Sequence, residues 1–358
     1  MSGERVAVAL SGGVDSAVTA ALLLEQGNEV FGVSMRLWQE PPQPEGNCPQ
    51  KALCDPTLGA QQVAAALGIE FHVVDAAVPF KQHVVDRFIA EYSAGRTPNP
   101  CLYCNRHLKF GALLEQALAL GADRLATGHY ARIRRGPDGI WELLKGMDER
   151  KDQSYVLYAL GQRELSRAHF PLGTWTKDRV REAAREWALP TAHNEESQDL
   201  CFVLDNDYRR FLRRYAPQAL RPGPIVDRSG REIGQHRGLP GYTIGQRSGI
   251  GIAAPQALYV LGMDVERNAL IVGPRHELGR DHLVARQVRW VRGQPPQGVI
   301  PAQVKIRYRT RPVPATVTPL PEARAEVRFA APLRDITPGQ GAVFYDGQLV
   351  LGGGLIAR

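Results

Sequence analysis

The stretch RVAVALSGGVDSAVTAALLLEQG, residues 5–27, sets the architecture of the N-terminal half of the chain. Its first six residues have the apolar pattern of a short buried strand, and its last part has the pattern of a helix that ends at Gly27. Between them, Gly12 and Gly13 permit a tight turn and let backbone N–H groups approach an oxyanion. The turn contains neither Gly-Lys-Ser/Thr nor GxGxxG, so it predicts a phosphate loop of another kind.

Strand and helix patterns continue to alternate beyond this stretch. Further strands are predicted at 29–35, 70–75 and 123–129, and helices at 56–67, 79–95, 107–121, 163–170, 177–187 and 207–215. This order predicts an α/β fold with a doubly wound parallel sheet, whose ligands bind in a crevice at the carboxyl ends of the strands. A hairpin is expected over 132–144, with its tip at 137–139.

The character of the chain changes after Pro217, where Gly and Pro become frequent and short alternating segments replace the helical patterns. We expect a small central domain and then a β-barrel. A chain of 358 residues is long for one core, which also favours several domains. The predicted division is a catalytic domain at 1–205, a central domain at 206–280 and the barrel at 281–358.

The net charge of +7 is concentrated near the C-terminus. Residues 275–358 contain 13 Lys/Arg against 6 Asp/Glu, and the remainder of the chain is balanced. Such a local excess favours an acidic partner, of which nucleic acid is the commonest. An arginine-rich surface that only contacts solvent is the alternative.

The cysteine content and hydropathy indicate the compartment. Five cysteines are a sparse, odd set, which argues for a reducing environment and against a disulfide framework. The chain has no signal-peptide pattern and no apolar run of about 18 residues. We therefore expect a cytoplasmic protein without a membrane segment.

Asp15 points to a metal ion beside the loop. A carboxylate next to a polyphosphate is repelled unless a divalent cation lies between them, so Asp15 predicts Mg²⁺. Ser11 and Ser16 can donate hydroxyl hydrogen bonds to the phosphates. The alternative is that Ser11 and Asp15 merely cap the helix. The string SGGVDS resembles the pyrophosphatase loop of ATP-dependent enzymes that adenylate a carbonyl oxygen and release pyrophosphate.

Adenylation requires a nucleophile, and the available candidates are thiols. Cys101 and Cys104 lie in NPCLYCNRH, residues 99–107, and Cys201 lies in SQDLCF, residues 197–202. Thiolates are good nucleophiles and can carry sulfur as a persulfide.

Eight ordered motifs carry a specific family resemblance over residues 6–356. They are SGGVDS, GRTPNPCLYCNRHLKFG, ATGHYARI, KDQSYVLY, SQDLCF, GYTIGQRSGIGI, KIRYR and TPGQGAVFYDGQLVLGGG. Together they resemble the tRNA-specific 2-thiouridylases, which thiolate the wobble uridine of tRNA. The resemblance implies an adenine-nucleotide hydrolase-like N-terminal domain, a small central domain and a C-terminal β-barrel.

The resemblance also implies roles for individual residues. Cys104 would be the nucleophile and Cys201 would form the persulfide, loaded by a cysteine desulfurase or a sulfur-relay protein, with Asp15 also at the catalytic site. The target base would face Asn99, Pro100 and Cys101. The implied ATP site comprises Ala9, Leu10, Ser11, Gly12, Gly13, Val14, Asp15, Ser16, Met35 and Gly128. The implied tRNA contacts are His129, Lys151, Asp152, Gln153, Arg307, Tyr308 and Gln340.

Cys101 departs from the family pattern, in which many members have Asp at this position. Three thiolates, from Cys101, Cys104 and Cys201, could hold a 4Fe-4S cluster with one open iron that delivers sulfide. Zinc is a third interpretation, with a fourth ligand from Cys48 or Cys54, although the loop around them lacks metal-ligand spacing. Cys101 could also be inert and pack near the base.

Several alternatives remain open at this level. The enzyme could act on another RNA position or on a small molecule, it could be an amide-forming ligase that uses the same loop, or it could be an RNA-binding protein without catalysis. His129 could be an ordinary buried histidine, and Lys151–Gln153 an exposed turn. In a regular strand, Tyr308 would point away from Arg307, so a joint contact requires a bulge or a strand end.

Overall fold

The computed structural model describes residues 3–41, 57–194, 200–203 and 205–357. Its N-terminal part contains a five-stranded parallel sheet in the order β3-β2-β1-β4-β7. The strands are β1 (Arg5–Ala9), β2 (Glu29–Arg36), β3 (Phe71–Asp75), β4 (Arg124–Ala126) and β7 (Ala168–His169). The chain order reverses between β1 and β4, so the loops after β1, β2 and β4 lie side by side, and the predicted doubly wound sheet is confirmed.

Helices cover both faces of this sheet because their apolar sides pack on its buried strands. They are α1 (Val14–Glu25), α2 (Leu58–Leu67), α3 (Ala77–Phe80, Lys81–Val85 and Asp86–Ser93 in succession), α4 (Pro100–Tyr103, Cys104–Leu113 and Leu114–Ala119 in succession), α5 (Gln162–Arg167), α6 (Lys177–Glu186) and α7 (Tyr208–Tyr215). Single 3₁₀ turns occupy Ser154–Val156, Pro171–Thr174, Pro217–Ala219, Leu239–Gly241 and Arg275–Glu277. Within the described ranges, none of the helices combines the length and the apolar character needed to cross a membrane.

Two predicted helices differ from the structure. Helix α4 begins at Pro100 rather than at 107, because Asn99 accepts a hydrogen bond from the Cys101 N–H at 3.1 Å and Pro100 occupies the first helical position. The helix expected over 163–170 ends at Arg167, since Ala168 pairs with Leu125 and extends the sheet as β7.

The central region forms a separate four-stranded sheet in the order β10-β11-β8-β9. Its strands are β8 (Gly223–Val226), β9 (Glu232–His236), β10 (Leu258–Asp264) and β11 (Ala269–Pro274). Ile225, Val260, Leu270 and Val272 are buried between them and form a small core. The expected central domain is therefore present as a compact β unit.

The C-terminal region is a closed six-stranded barrel, as predicted. Its strands are β12 (Arg280–Trp290), β13 (Ile300–Lys305), β14 (Val313–Leu320), β15 (Arg324–Leu333), β16 (Gly341–Asp346) and β17 (Leu349–Ile356). They follow the order β12-β15-β14-β13-β16-β17, and pairing of β12 with β17 closes the barrel. Closure leaves no free edge on this ring of strands.

The predicted hairpin, β5 (Ala131–Arg135) and β6 (Trp141–Lys145), joins the barrel rather than the parallel sheet. Leu144 of β6 pairs with Leu349 of β17, and the Lys145 N–H donates to the Gln348 carbonyl at 2.9 Å. Val343 and Tyr345 of the barrel are buried in the same core cluster as the helices of the N-terminal sheet. One apolar core therefore spans the nucleotide-binding domain and the barrel.

Candidate active site

The SGGVDS loop lies at the carboxyl end of β1 and leads into α1. Gly12 has φ of +74°, and a Cβ at this position would lie 3.0 Å from backbone atoms of Gly59. Ser16 Oγ donates to the Gly13 carbonyl at 3.0 Å and accepts the Ser11 N–H at 3.2 Å. These bonds hold the loop in an open turn whose remaining N–H groups, at the start of α1, suit a phosphate.

The Asp15 carboxylate is held by two buried groups. Oδ1 accepts a hydrogen bond from Lys177 Nζ at 2.6 Å and another from the Tyr130 hydroxyl at 2.7 Å. Lys177 is 5% exposed, whereas the Asp15 side chain keeps 34% of its surface accessible. Gly128 packs directly on Asp15, since a Cβ there would come within 2.9 Å of it. Asp15 therefore joins the loop to α6 and to the segment after β4.

The residues expected to bind ATP converge on this edge of the sheet. Met35 lies near the end of β2 and Gly128 just after β4, on either side of the loop after β1. Asn194, which the sequence analysis does not single out, donates from Nδ2 to the Gly12 carbonyl at 3.2 Å. The structure brings together the expected set: Ala9, Leu10, Ser11, Gly12, Gly13, Val14, Asp15, Ser16, Met35 and Gly128.

The three candidate thiols come from two distant segments. Cys101 and Cys104 lie at the start of α4, and Cys201 lies in a turn between α6 and α7. Burial raises the pKa of Cys104 to about 11, although the charge of Lys109 lowers it. Part of the Cys201 residue is exposed to solvent, but the surrounding protein still desolvates its thiol. This desolvation, followed by the proximity of Cys104 and Cys101, raises the pKa of Cys201 to about 12. Both groups are protonated thiols at neutral pH, so deprotonation must precede their chemistry.

Lys109 is a candidate that the sequence analysis misses. Its charge acts on Cys104 and Cys201, and its Nζ lies 3.4 Å from Nε2 of His129. Cys104–Leu113 is wound as a π-helix, in which hydrogen bonds join residues five apart, so Lys109 turns towards the face of Cys104. A 3.6-residue period would place the two on different faces.

The thiols do not form a ready metal site. Within the part of the chain that the structure describes, no three His, Cys, Asp or Glu side chains are grouped so that they could hold a metal ion. Cys101, Cys104 and Cys201 are all described, and as they stand they do not form such a single-ion site. Cys48 and Cys54, the additional zinc ligands considered, lie outside the described residues.

Four residues expected to contact tRNA lie in the segments that follow β4 and β6 and are tied into the protein. His129 is 6% exposed, its Nδ1 is 2.7 Å from Thr127 Oγ1, and burial followed by the Lys109 charge lowers its pKa well below the usual range. Asp152 is buried and accepts hydrogen bonds from the Gly146 and Ser154 N–H groups. Gln153 bonds Tyr130 through both backbone and side chain, whereas the neighbouring Lys151 is half-buried.

The other three expected tRNA contacts lie on the barrel. Strand β13 ends at Lys305, so Arg307 and Tyr308 lie in the turn that follows, and the strand end required for a joint contact is present. Arg307 donates to the Ile244 carbonyl at 2.9 Å, which links the barrel to the central domain. Gln340 donates to the Thr97 carbonyl at 2.8 Å, just before α4. Burial raises the pKa of Tyr308 to about 12, and the proximity of Asp152 and Cys101 adds to this, which places Tyr308 near the thiols.

Comparison with protein families gives three successive matches. The first is described as a tRNA methyl transferase HUP domain and covers residues 4–205, the second as a tRNA methyl transferase PRC-barrel domain over 209–274, and the third as an aminomethyltransferase beta-barrel domain over 280–356. These descriptions mention methyl transfer, whereas the thiols beside an ATP loop suit sulfur chemistry.

Relatives that match nearly the whole chain have names that refer to the thiolation of tRNA. The tRNA-specific 2-thiouridylase of Chloroflexus aggregans is 50% identical over 99% of this chain and 98% of that protein. The one of Geobacter metallireducens is 51% identical over 99% of this chain and 96% of that protein. Among solved structures, the U34-tRNA thiolase NcsA from Methanococcus maripaludis with its [4Fe-4S] cluster is 20% identical, covers 60% of this chain and 67% of that chain, and has a TM-score of 0.34.

Proposed function

The chain belongs to the tRNA-specific 2-thiouridylase family, and from this membership we propose how its own residues carry out the reaction. It is an ATP-dependent tRNA sulfurtransferase that replaces the 2-oxygen of a uridine by sulfur, with release of AMP and pyrophosphate. The observation that carries the assignment of residues is the approach of Cys104 and Cys201, two thiols 97 positions apart, of which Cys104 lies near enough to raise the pKa of Cys201.

The loop and its neighbours would serve the adenylation step. The N–H groups of Ser11–Ser16 receive the phosphates, and the uridine 2-oxygen attacks the α-phosphate while pyrophosphate leaves. Lys177 stands beside Asp15 as a buried cation that can stabilise the departing charge. The exposed part of the Asp15 carboxylate fits Mg²⁺, which would neutralise the polyphosphate when bound.

The thiols would serve the sulfur-transfer step. The terminal sulfur of a Cys201 persulfide forms a bond to uridine C2, and the Cys104 thiolate then attacks the Cys201 sulfur. The persulfide S–S bond breaks as AMP departs, and a Cys104–Cys201 disulfide remains for an external thiol to reduce. Lys109 would stabilise the Cys104 thiolate, whose formation burial otherwise opposes.

The partners and the surroundings follow from the same assignment. We propose tRNAs with a wobble uridine as substrates, a cysteine desulfurase or a sulfur-relay protein as the donor, and domains at 1–205, 206–280 and 281–358. Asn99, Pro100 and Cys101 would face the target base. The sparse cysteines support a cytoplasmic location. The proposed tRNA contacts remain His129, Lys151, Asp152, Gln153, Arg307, Tyr308 and Gln340.

Separating the two chemical steps tests this assignment. With tRNA, ATP and a persulfide donor, Cys104→Ser and Cys201→Ser should each lower 2-thiouridine formation at least about a thousandfold. Cys201→Ser should still release pyrophosphate, because adenylation does not use this thiol. Full thiolation by either variant would contradict the assignment and would fit a ligase or an RNA-binding protein better.

Cys101→Ser, measured after anaerobic purification, distinguishes persulfide from cluster chemistry. We expect Cys101→Ser to thiolate tRNA and the active wild-type enzyme to contain no stoichiometric iron. About four irons per chain, with activity lost when they are removed, would instead make Cys101, Cys104 and Cys201 cluster ligands.

A further inference from the structure

A group of cationic and imidazole side chains lies where α3, α4 and β12 meet, outside the residues assigned above. We call it the basic seam and define it as Arg87 and His83 of α3, Arg106 and His107 of α4, and Arg289 of β12. The His83 and His107 rings are stacked, with centroids 4.7 Å apart and planes 11° apart. Arg87 lies over the Tyr103 ring at 5.3 Å.

The buried carboxylate at this junction, Glu91, is already paired with two arginines outside the basic seam. Glu91 of α3 is 5% exposed, and it accepts hydrogen bonds from Arg96 at 2.6 and 2.9 Å and from Arg286 of β12 at 3.1 and 3.2 Å. This pairing fixes β12 against α3 and holds Arg289, three residues later, beside the helices. Glu91 therefore positions the basic seam but does not neutralise it.

The positive charge of the basic seam is left uncompensated. Across the described residues, Arg87, Arg106 and Arg289 form no ion pair with a carboxylate. Burial lowers the pKa of Arg106, and the charges of Arg289 and Arg87 lower it further, which outweighs the opposite effect of Glu164. Three unpaired guanidinium groups that repel one another destabilise the free protein, and an anion bound between them removes that cost.

The proposed substrate indicates which anion the basic seam receives. Arg106 and His107 follow Cys104 by two and three residues in the π-helical segment, so they project from other faces of α4 than the thiol, and the basic seam lies on the same helix as the thiol site but outside it. Guanidinium groups bind phosphate oxygens in a bidentate manner, and the stacked imidazoles add flat rings of the kind that nucleotides contact. Resting on the proposed function, which makes tRNA the polyanion that this protein binds, we propose that the basic seam binds the phosphate backbone of tRNA outside the thiol site.

Charge reversal at the exposed Arg289 tests the proposal. Arg289→Glu should weaken tRNA binding about tenfold at low salt and reduce the slope of log Kd against log salt by about 1 or more. Arg280→Glu is the matched control, since it makes the same change at an exposed position on the same strand, roughly 30 Å away along β12. Arg87→Gln, which only removes a charge, should reduce the slope as well, and thermal unfolding checks that each variant is folded.

The outcomes distinguish this proposal from the proposed function. In thiolation assays Arg289→Glu should raise the KM for tRNA by about the same factor as it raises Kd, because the basic seam contributes to tRNA binding. The wild-type protein could bind tRNA with a salt slope that decreases in the Arg289→Glu variant and yet form no 2-thiouridine. That result would contradict the proposed function but support the basic seam as a tRNA-binding surface. Equal salt slopes for Arg289→Glu, Arg280→Glu and wild type would overturn the seam as an RNA site. So would unchanged tRNA binding with slower sulfur uptake from a donor protein, which would assign the seam to a protein partner.

Discussion

A single buried cation beside the ATP loop gives the sharpest prediction for one residue. Lys177→Met removes the ammonium group that contacts Asp15 at 2.6 Å, so pyrophosphate release should fall about a hundredfold, as when a preorganised donor to a developing charge is lost. Arg179→Met, at an exposed position of the same helix, should leave the rate unchanged. Pyrophosphate release within threefold of wild type for Lys177→Met would refute the role of Lys177.

Sequence reasoning works for Asp15 and fails for Lys177 for a physical reason. The loop residues are adjacent in the chain, so strand, turn and helix patterns locate them together. Lys177 lies 162 positions from Asp15, and in the sequence it is only the first polar residue of an amphipathic helix. Its burial follows from the packing of α6 against α1, which a local pattern does not contain.

At the scale of an element, the histidine on α4 predicts how stability depends on pH. Burial, then the charge of Arg106, lowers the pKa of His107 to about 4, against about 6.5 in the unfolded chain. Between these values the unfolded state binds a proton that the fold excludes, so stability falls as pH drops from about 6.5 to 4.

The variant His107→Gln isolates this contribution. The loss of unfolding free energy between pH 7 and pH 5, measured by urea titration, should be smaller in His107→Gln by about 1 kcal/mol, after discounting for the partial exposure of the ring. Burial also lowers the pKa values of three other histidines, His129, His169 and His236. Their contribution to the pH dependence of the unfolding free energy is the same in wild type and in His107→Gln. An identical loss of unfolding free energy in the two proteins would contradict the claim that folding lowers the pKa of His107.

The start of α4 was predicted seven residues too late, and its winding was not predicted at all. Asn99-Pro100 is a helix-start signal, and the structure uses it as such. The π-helical winding of Cys104–Leu113 depends on how α4 packs in the core, so the approach of Lys109 to Cys104 has no sequence period that reveals it.

For the whole molecule, Glu91 is the clearest link between the N-terminal domain and the barrel. Burial alone would raise its pKa, but the hydrogen bonds and charges of Arg96 and Arg286 outweigh this and lower it. Glu91→Gln should cost roughly 2–3 kcal/mol of unfolding free energy, somewhat less than a fully buried pair because both arginines are partly exposed. Glu322→Gln, on an exposed pair, should change it by less than about 0.5 kcal/mol, and equal losses in the two variants would exclude the link.

The order of the domains could be predicted from the change in sequence pattern along the chain, whereas the strand pairing between domains could not. Alternating segments after Pro217 correctly indicate β structure and a barrel. The 132–144 hairpin was predicted as a local unit, yet its partner strand β17 lies about 200 residues later, and a local alternation pattern does not name its partner.

That long-range pairing has a consequence for synthesis on the ribosome. The ribosome synthesises β6 long before β17. The edge of β6 that faces away from β5 pairs with Leu349, which belongs to the last strand of the chain. At roughly 5–20 residues per second, translation leaves this edge open for about 10–40 s. An uncovered strand edge is a template for pairing with other chains, so a nascent chain stalled before β17 presents a surface that chaperones must protect.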